Sequence, residues 1–148
     1  MPTASRPTFG GGYGVPESEG GMLPWSWAAE RLAQGRNYWV ATTGPHTSPV
    51  WALWRDESIV FSCGPRSRKA RAMARDPNIV VHLDGGDEVV IVEGRAEKIE
   101  VDDSVIDEYE RKYAFRADKG EGWYRVVPRR VLAWTLADYP RDATRFDF

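Results

Sequence analysis

The chain has 148 residues, of which 42% are hydrophobic and 28% are charged, and its formal net charge is −2. This length and composition are typical of one soluble globular domain with a single core. The slight negative charge argues against a dedicated nucleic-acid-binding protein, which usually carries a strongly basic face. No apolar run is long enough for a transmembrane helix and no signal-peptide pattern is present, so we expect a cytoplasmic protein without membrane partners.

Side chains that bind metals or form disulfides are scarce. Cys63 is the single cysteine, which excludes an intramolecular disulfide and a cysteine-rich metal site. His46 and His82 are the only histidines and have no partner at metal-ligand spacing, so no metal site is predicted. No motif with an activated nucleophile or paired carboxylates is recognised, and catalytic residues therefore stay unassigned.

The chain divides into an arm, a domain and a tail. Residues 1–22 are rich in glycine and proline and predict an irregular arm, whereas residues 141–148 form a tail without a clear pattern. The domain spans residues 23–140. Its hydrophobic periodicity predicts helices over 23–33, 66–75 and 103–114, and strands over 38–43, 50–54, 58–63, 79–83, 88–100, 123–127 and 131–136.

Two details of these elements can be checked directly. Gly94 lies within the long strand and predicts a β-bulge or a bend of a barrel. The last helix should begin after Asp102 or Asp103 and bury a stripe of apolar side chains at helical spacing. The stripe consists of Val105, Ile106, Tyr109 and Tyr113.

The order of the elements indicates a mainly β fold. Consecutive strands are joined by short turns, and the helices are inserted between them. This order predicts a barrel of six to seven mostly antiparallel strands with peripheral helices, and it argues against a doubly wound α/β sheet.

A basic cluster stands where the 58–63 strand gives way to the next helix. It runs from Arg66 through Ser67, Arg68 and Lys69 to Arg71. Cations, a hydroxyl and the free N–H groups of a helix N-terminus together favour the phosphate of a small molecule. The alternative is a helix face exposed to solvent, which basic runs often are.

Two residues near this cluster have open interpretations. Alternation along the 50–54 strand places Trp51 and Leu53 on one face and Trp54 on the opposite face. One of the two tryptophans could therefore line a pocket for a flat ligand. Both could equally pack in the core or at a dimer contact. Cys63 stands beside cations that could lower its pKa, or it is a small packing residue.

Several runs in this order resemble the pyridoxamine 5′-phosphate oxidase-like family, and within it the split-barrel flavin and deazaflavin (coenzyme F420) reductases. The resemblance covers about residues 23–136. It rests on Tyr38–Thr42, Pro49–Trp51, Ile59–Ser62, Ser67–Pro77 and Val92–Gly94. The resemblance implies an FMN-binding split barrel that forms a homodimer, with the cofactor in a groove at the interface.

The resemblance also implies which residues hold the cofactor. Ser67, Arg68 and Lys69 would bind the phosphate, and Trp51 would border the ring or the substrate. The ring system or ribityl chain would run beside two strands, at Ala41, Thr42, Ser62 and Cys63. Both FMN and F420 fit such a site, and F420 is slightly preferred because the composition, rich in arginine, alanine and tryptophan, resembles that of actinobacterial members.

The implied activity is that of an oxidoreductase which transfers hydride between this cofactor and a small organic substrate. The alternative is a non-catalytic module that binds or sequesters a cofactor or haem. The sequence departs from its relatives at Gly44–His46, where they often have a longer turn. It also lacks a C-terminal Arg/His signature for pyridoxamine phosphate, so the oxidase reaction itself is not predicted.

Overall fold

A computed structural model describes residues 1–148 as nine strands and three helices. The helices are α1 (Trp25–Gln34), α2 (Arg68–Arg75) and α3 (Asp103–Tyr113). The strands are β1 (Thr3–Ser5), β2 (Tyr38–Thr42), β3 (His46–Val50), β4 (Ala52–Arg55), β5 (Ser58–Cys63), β6 (Asn78–Leu83), β7 (Glu88–Ile99), β8 (Gly122–Thr135) and β9 (Thr144–Asp147). None of the helices has the length and apolar character needed to cross a membrane.

The strands pair antiparallel throughout and curl into a split barrel, which confirms the predicted fold class. The main sheet runs in the order β1-β9-β8-β7-β6-β2-β3. One edge of β8 pairs with β7 along most of its length. The other edge pairs first with β5, through residues 122–126, and then with β9, through residues 130–133. The barrel splits where β8 changes partner.

The prediction of one strand over residues 50–54 is wrong, because the chain breaks at Trp51. β3 ends at Val50 and pairs with β2, whereas β4 begins at Ala52 and pairs with β5. The predicted faces are nevertheless confirmed. Ala52 lies in the barrel core, and Leu53 lies in a second cluster beneath α3.

The prediction of two final strands separated by Pro128 is also wrong, since β8 continues through this proline. Gly94 pairs with Pro128 and Glu93 pairs with Arg130, so Arg129 is the extra residue of a β-bulge. A proline is tolerated at a bulge because the ladder there does not need its missing N–H. The predicted bulge at Gly94 is confirmed.

The core has two parts, one inside the barrel and one between the barrel and α3. The predicted stripe of α3 is buried as expected, and Asp102 caps the helix by accepting hydrogen bonds from the N–H groups of Ser104 and Val105. This packing brings one face of α3 against Trp123 and Val60, next to the break at Trp51.

Both chain ends contain strands that the sequence analysis did not predict. β1 pairs with β9, and β9 pairs with β8, so the ends form an extension of the sheet. Arg6 fixes the rest of the N-terminal arm, because its guanidinium donates hydrogen bonds to four backbone carbonyls. The acceptors are the oxygens of Ser18, Gly20, Arg141 and Ala143, at 2.7 to 2.9 Å.

Candidate functional site

The candidate site is an open cavity of about 410 Å³ on one side of the barrel. It lies between the end of β5, the first turn of α2, the break between β3 and β4, and the side of α3. Its lining residues are Asn37, Pro49, Val50, Trp51, Ser62, Cys63, Gly64, Lys69 and Tyr109.

One end of the cavity is basic and lies at the first turn of α2. The Ser67 hydroxyl caps this helix by accepting a hydrogen bond from the N–H of Ala70 at 3.2 Å. Lys69 lines the cavity, whereas Arg68 is exposed outside it. Neither cation forms an ion pair, and the same holds for Arg66 and Arg71. These charges are therefore free to meet an anion together with the helix dipole.

Cys63 forms part of the cavity wall but does not have the character of a reactive thiol. Burial raises the pKa of its thiol, and this effect exceeds the opposing effects of the Ser67 hydrogen bond and the Lys69 charge. Desolvation of the thiolate therefore dominates, which favours the alternative of a small packing residue over that of a thiol activated by nearby cations. Cys63 acts here as a small packing residue.

The part of the cavity wall at the break between β3 and β4 is aromatic, and we call it the aromatic end. The ring of Trp51 stacks on that of Tyr113, with centroids 4.8 Å apart and planes at 8°. Tyr109 is tilted against Trp51 at 6.4 Å, and Phe115 meets it edge-on at 6.3 Å. Trp51 nevertheless remains 38% exposed. A flat ring could thus contact Trp51 while the tyrosines of α3 support it from behind.

The predicted cofactor-binding residues do not all meet in one cavity of a single chain. Trp51, Ser62, Cys63 and Lys69 line the cavity, and Ser67 and Arg68 flank it at the start of α2. Ala41 and Thr42 line a different groove of about 360 Å³, which they share with residues of β6, β7 and β8.

Sequence reasoning missed the contribution of two other segments. Tyr109 was expected only as a core residue of α3, and it also reaches the cavity. Asn37, just before β2, was not singled out, and its side chain donates a hydrogen bond to Asp84 at 3.1 Å. A buried helical stripe and a turn asparagine carry no pattern that distinguishes a site from ordinary packing.

The two histidines lie away from this cavity. The His82 ring stacks on Trp39 with planes at 9°, and its Nδ1 is 2.9 Å from the carbonyl oxygen of Leu83. His46 begins β3, at the turn beyond Thr42. No group of three or more histidine, cysteine, aspartate or glutamate side chains is placed to hold a metal ion.

Comparison with protein families decides what this barrel is. The model of the pyridoxamine 5′-phosphate oxidase family matches residues 28–138, most of the chain. The chain belongs to this family. The match spans β2 through β8 and therefore includes both the basic and the aromatic ends of the cavity, and it confirms the resemblance noted from the sequence. No curated protein matches the sequence.

Solved structures share the fold at low sequence identity. A conserved hypothetical protein from Mycobacterium tuberculosis is 23% identical, with a TM-score of 0.66 over 81% of this chain and 90% of that one. An FAD-binding protein from Mycobacterium smegmatis is 19% identical, with a TM-score of 0.57 over 84% of this chain and 98% of that one. A haem-binding protein from Mycobacterium smegmatis is 19% identical, with a TM-score of 0.64 over 82% of this chain and 57% of that one. These likenesses establish the fold.

Proposed function

We propose that this protein binds a flavin-type cofactor through its phosphate and acts as an oxidoreductase. The observation that carries the proposal is a single cavity lined both by the unpaired cation Lys69 and by a supported, exposed tryptophan. A cofactor of this type has an anionic phosphate at one end and a flat ring at the other. The charge and shape of the cavity match both ends.

The phosphate is assigned to the start of α2. Lys69 supplies the cation inside the cavity, Arg68 supplies a second at its edge, and the first turn of the helix supplies backbone N–H donors. The Ser67 hydroxyl accepts a hydrogen bond from the N–H of Ala70 and also bonds the Cys63 sulfur. Because sulfur is a weak acceptor, the hydroxyl proton can turn from Cys63 to a phosphate oxygen. This set of donors fits a phosphate monoester or diester.

The ring is assigned to the opposite wall. Trp51 offers a flat apolar surface, and the Ser62 hydroxyl and the Asn37 amide lie on the same lining as possible polar contacts. When bound, the cofactor ring supplies the hydride or electron chemistry, as in other flavin proteins. The residues of the chain then bind and orient the ring and exclude water from one of its faces.

The substrate is a small organic molecule that accepts or donates a hydride at the exposed face of the ring. We also infer a homodimer, because Ala41 and Thr42 lie in a groove separate from the Lys69 cavity. In a dimer, the groove of one subunit could complete the cavity of its partner and enclose the cofactor at the interface.

The first experiment measures cofactor binding by the purified protein. FMN, F420 and riboflavin, which lacks the phosphate, are titrated separately and followed by absorbance and fluorescence. We expect F420 or FMN to bind at least tenfold more tightly than riboflavin, because a charge-assisted phosphate contact contributes about 1.5–3 kcal/mol. F420 is the preferred cofactor of the two, and retention of FMN without F420 binding would reverse that preference.

Lys69→Ala tests the phosphate assignment, and Arg75→Ala is the matched control at the far end of the same helix. Lys69→Ala should weaken the binding of phosphate-bearing cofactors by about tenfold or more and leave the affinity for riboflavin unchanged. Arg75→Ala should change neither. Failure of all cofactors to bind the wild type, or an equal effect of both variants, contradicts the proposal.

Turnover separates an oxidoreductase from a non-catalytic module. The protein loaded with reduced cofactor is mixed with a panel of enones and quinones, and cofactor oxidation is followed by absorbance. Substrate-dependent oxidation supports an enzyme. Tight binding without turnover on any substrate favours the module, and a haem titration followed at the Soret band identifies the haem-binding form of that alternative.

A further inference from the structure

A half-buried lysine lies at the break between β3 and β4. The ammonium of Lys112, on the last turn of α3, donates hydrogen bonds to the Tyr38 hydroxyl at 2.8 Å and to the carbonyl oxygen of Ala52 at 2.9 Å. A longer contact reaches the carbonyl oxygen of Ala33 at 3.5 Å. No carboxylate lies within ion-pair distance of this ammonium. A half-buried charge whose direct hydrogen-bond partners are all neutral is costly and calls for an explanation.

The partners of Lys112 converge on Ala52, the first residue after the break. The N–H of Ala52 donates to the hydroxyl of Tyr113 at 2.9 Å. The carbonyl oxygen of Ala52 accepts from Lys112 and lies 2.9 Å from the same tyrosine hydroxyl. Side chains of α3 therefore bond both backbone polar groups at the point where the chain passes from one strand pairing to the next.

Trp51 precedes Ala52 directly and is fixed by the same helix. Its ring stacks on Tyr113, and the Lys112 ammonium lies 5.3 Å from the centroid of that tyrosine ring. Lys112 thus contacts both the peptide next to Trp51 and the ring against which Trp51 rests. It lines no part of the cavity itself.

We propose that Lys112 is a positioning residue for the aromatic end of the site, acting through Ala52 and Tyr113 to hold Trp51 as the wall of the cavity. The proposal rests on the proposed function only in taking this wall as the surface that meets the cofactor ring. The contacts that define it are present in the chain without a ligand.

The charge state of Lys112 gives the arrangement a pH dependence. The pKa of Lys112 is lowered to about 8, chiefly by burial, with the charge of Glu108 opposing this shift and the charge of Arg36 adding to it. Glu108 comes from α3 and is paired with Arg55 of β4; Arg36 comes from the segment before β2. The hydroxyls of Tyr38 and Tyr113 are the remaining titratable groups that face the ammonium. Above pH 8 the neutral amine loses its cation–π contacts and donates weaker hydrogen bonds.

The test is a double-mutant cycle on the protein without cofactor, read by near-UV circular dichroism. The variants are Lys112→Met, Trp51→Leu and their combination. We expect Lys112→Met to remove most of the dichroism that Trp51→Leu removes, and to change little further in the Trp51→Leu background. The Trp51-dependent signal of the wild type should also titrate with a midpoint near pH 8 and stay constant with pH in Lys112→Met.

A second variant guards against loss of folding. Tyr113→Phe keeps the stacked ring and removes only the hydroxyl, which bonds Ala52 and the carbonyl oxygen of Arg36, so it should reproduce part of the change in dichroism. Equal effects of Lys112→Met in both backgrounds, or a wild-type signal constant from pH 7 to 9, overturn the proposal. If Lys112→Met does not fold by far-UV dichroism, Tyr113→Phe and the wild-type titration decide it.

Cofactor affinity provides a separate readout. Lys112→Met should weaken FMN binding by about fivefold in the wild-type background and by less than twofold in the Trp51→Leu background. If the wild type binds neither F420 nor FMN, the proposed function loses its support while the dichroism cycle still decides the role of Lys112. If FMN binds but the cycle is additive, the function stands and the positioning role is wrong.

Discussion

At the scale of single residues, Ser67 has both a structural role and a proposed ligand-binding role. Its hydroxyl caps α2, and its proton is assigned to the cofactor phosphate. Ser67→Ala should lower the free energy of unfolding by about 1 kcal/mol, the usual loss for an N-cap, and should also weaken the binding of FMN. Urea denaturation measures the first effect and a fluorescence titration the second.

Ser67→Thr is the matched control because threonine also caps helices. This variant should keep most of the stability and most of the FMN affinity. Loss of FMN affinity in Ser67→Ala without loss of stability would show that the serine does not cap the helix in solution.

Lys112 gives a stability that depends on pH. Its pKa is about 8 in the folded protein, below the ordinary value of 10.5, because burial disfavours the ammonium. Between these values the unfolded chain binds more protons than the folded one, so the free energy of unfolding rises with pH. Relative to Lys112→Met, we expect the wild type to gain stability from pH 7.5 to about 9.5. Cys63, whose raised pKa acts in the opposite direction, is present in both proteins and cancels in the comparison.

The two proteins are compared only up to about pH 9.5, because at higher pH the tyrosines also change the free energy of unfolding. Burial raises the pKa of Tyr109 to about 12 and also raises those of Tyr38, Tyr113 and Tyr124. Those residues make stability fall above pH 10, when the unfolded chain loses their protons first. Urea midpoints at three pH values for both proteins suffice, and parallel curves would contradict the prediction.

At the scale of elements, the bulge in β7 and β8 depends on Gly94. A Cβ at this position would lie 2.7 Å from the carbonyl oxygen of Val127 and 2.9 Å from a methyl of Val126. Gly94→Ala should therefore destabilise the protein by about 1–3 kcal/mol, because strand backbone cannot move aside without disturbing the ladder. Thermal unfolding measures the loss.

Gly86→Ala is the control for this substitution, since Gly86 lies in the turn before β7 and a Cβ there meets nothing within 4 Å. The control should unfold within about 0.5 kcal/mol of the wild type. Equal stability of the two variants would mean that the backbone of the bulge shifts to accommodate a Cβ at position 94 at little cost in free energy.

The elements also show what the sequence can reveal. The stripe of α3 and its capping by Asp102 follow from local rules, and both are found as expected. The break at Trp51 could not be predicted, because alternate residues keep their faces through it and only pairing with β2 on one side and β5 on the other defines it. Pro128 led to the opposite error: two strands were predicted on either side of it, but β8 continues through a bulge at which its missing N–H is not needed.

The same distinction holds for the site. The basic end was predictable because a strand, a hydroxyl and four cations lie close together in the sequence. The aromatic end was predictable only for Trp51. Tyr109 contacts Trp51, and Lys112 bonds Ala52, from α3, which lies about sixty positions further along the chain. Only the fold brings such distant residues together, so no local pattern predicts these contacts.

At the scale of the whole molecule, Arg6 ties the arm to the end of the chain. Its guanidinium bridges carbonyls of residues 18 and 20 to those of residues 141 and 143. Arg6→Met leaves four acceptors without this donor and should free the arm, so limited proteolysis should cut within residues 7–22 faster than in the wild type.

Arg75→Met is the control for the arm, because Arg75 is exposed and forms no ion pair. Its cleavage pattern should match the wild type. Unchanged cleavage of Arg6→Met would mean that β1 and the packing of Phe9 on Trp134, with centroids 5.5 Å apart, suffice to hold the arm.

The proposed homodimer can be tested by asking whether two subunits build one site. Lys69 and Ala41 line separate cavities of a single chain. In a shared site, the Lys69 cavity of one subunit and the Ala41 groove of its partner would therefore enclose the same cofactor. Sedimentation should give twice the chain mass of 16.7 kDa. Lys69→Ala and Ala41→Trp should each weaken FMN binding by about tenfold or more, the first by removing a cation and the second by filling the groove.

Refolding an equal mixture of these two variants then distinguishes shared from separate sites. Half of the dimers are mixed, and one of the two sites in each mixed dimer has both wild-type residues, so about a quarter of all sites should regain tight FMN binding. If each site were built within one subunit, every site would keep one of the substitutions and mixing would restore none. A monomer in sedimentation, or a mixture that binds no better than its components, would leave the Lys69 cavity as a site within one chain.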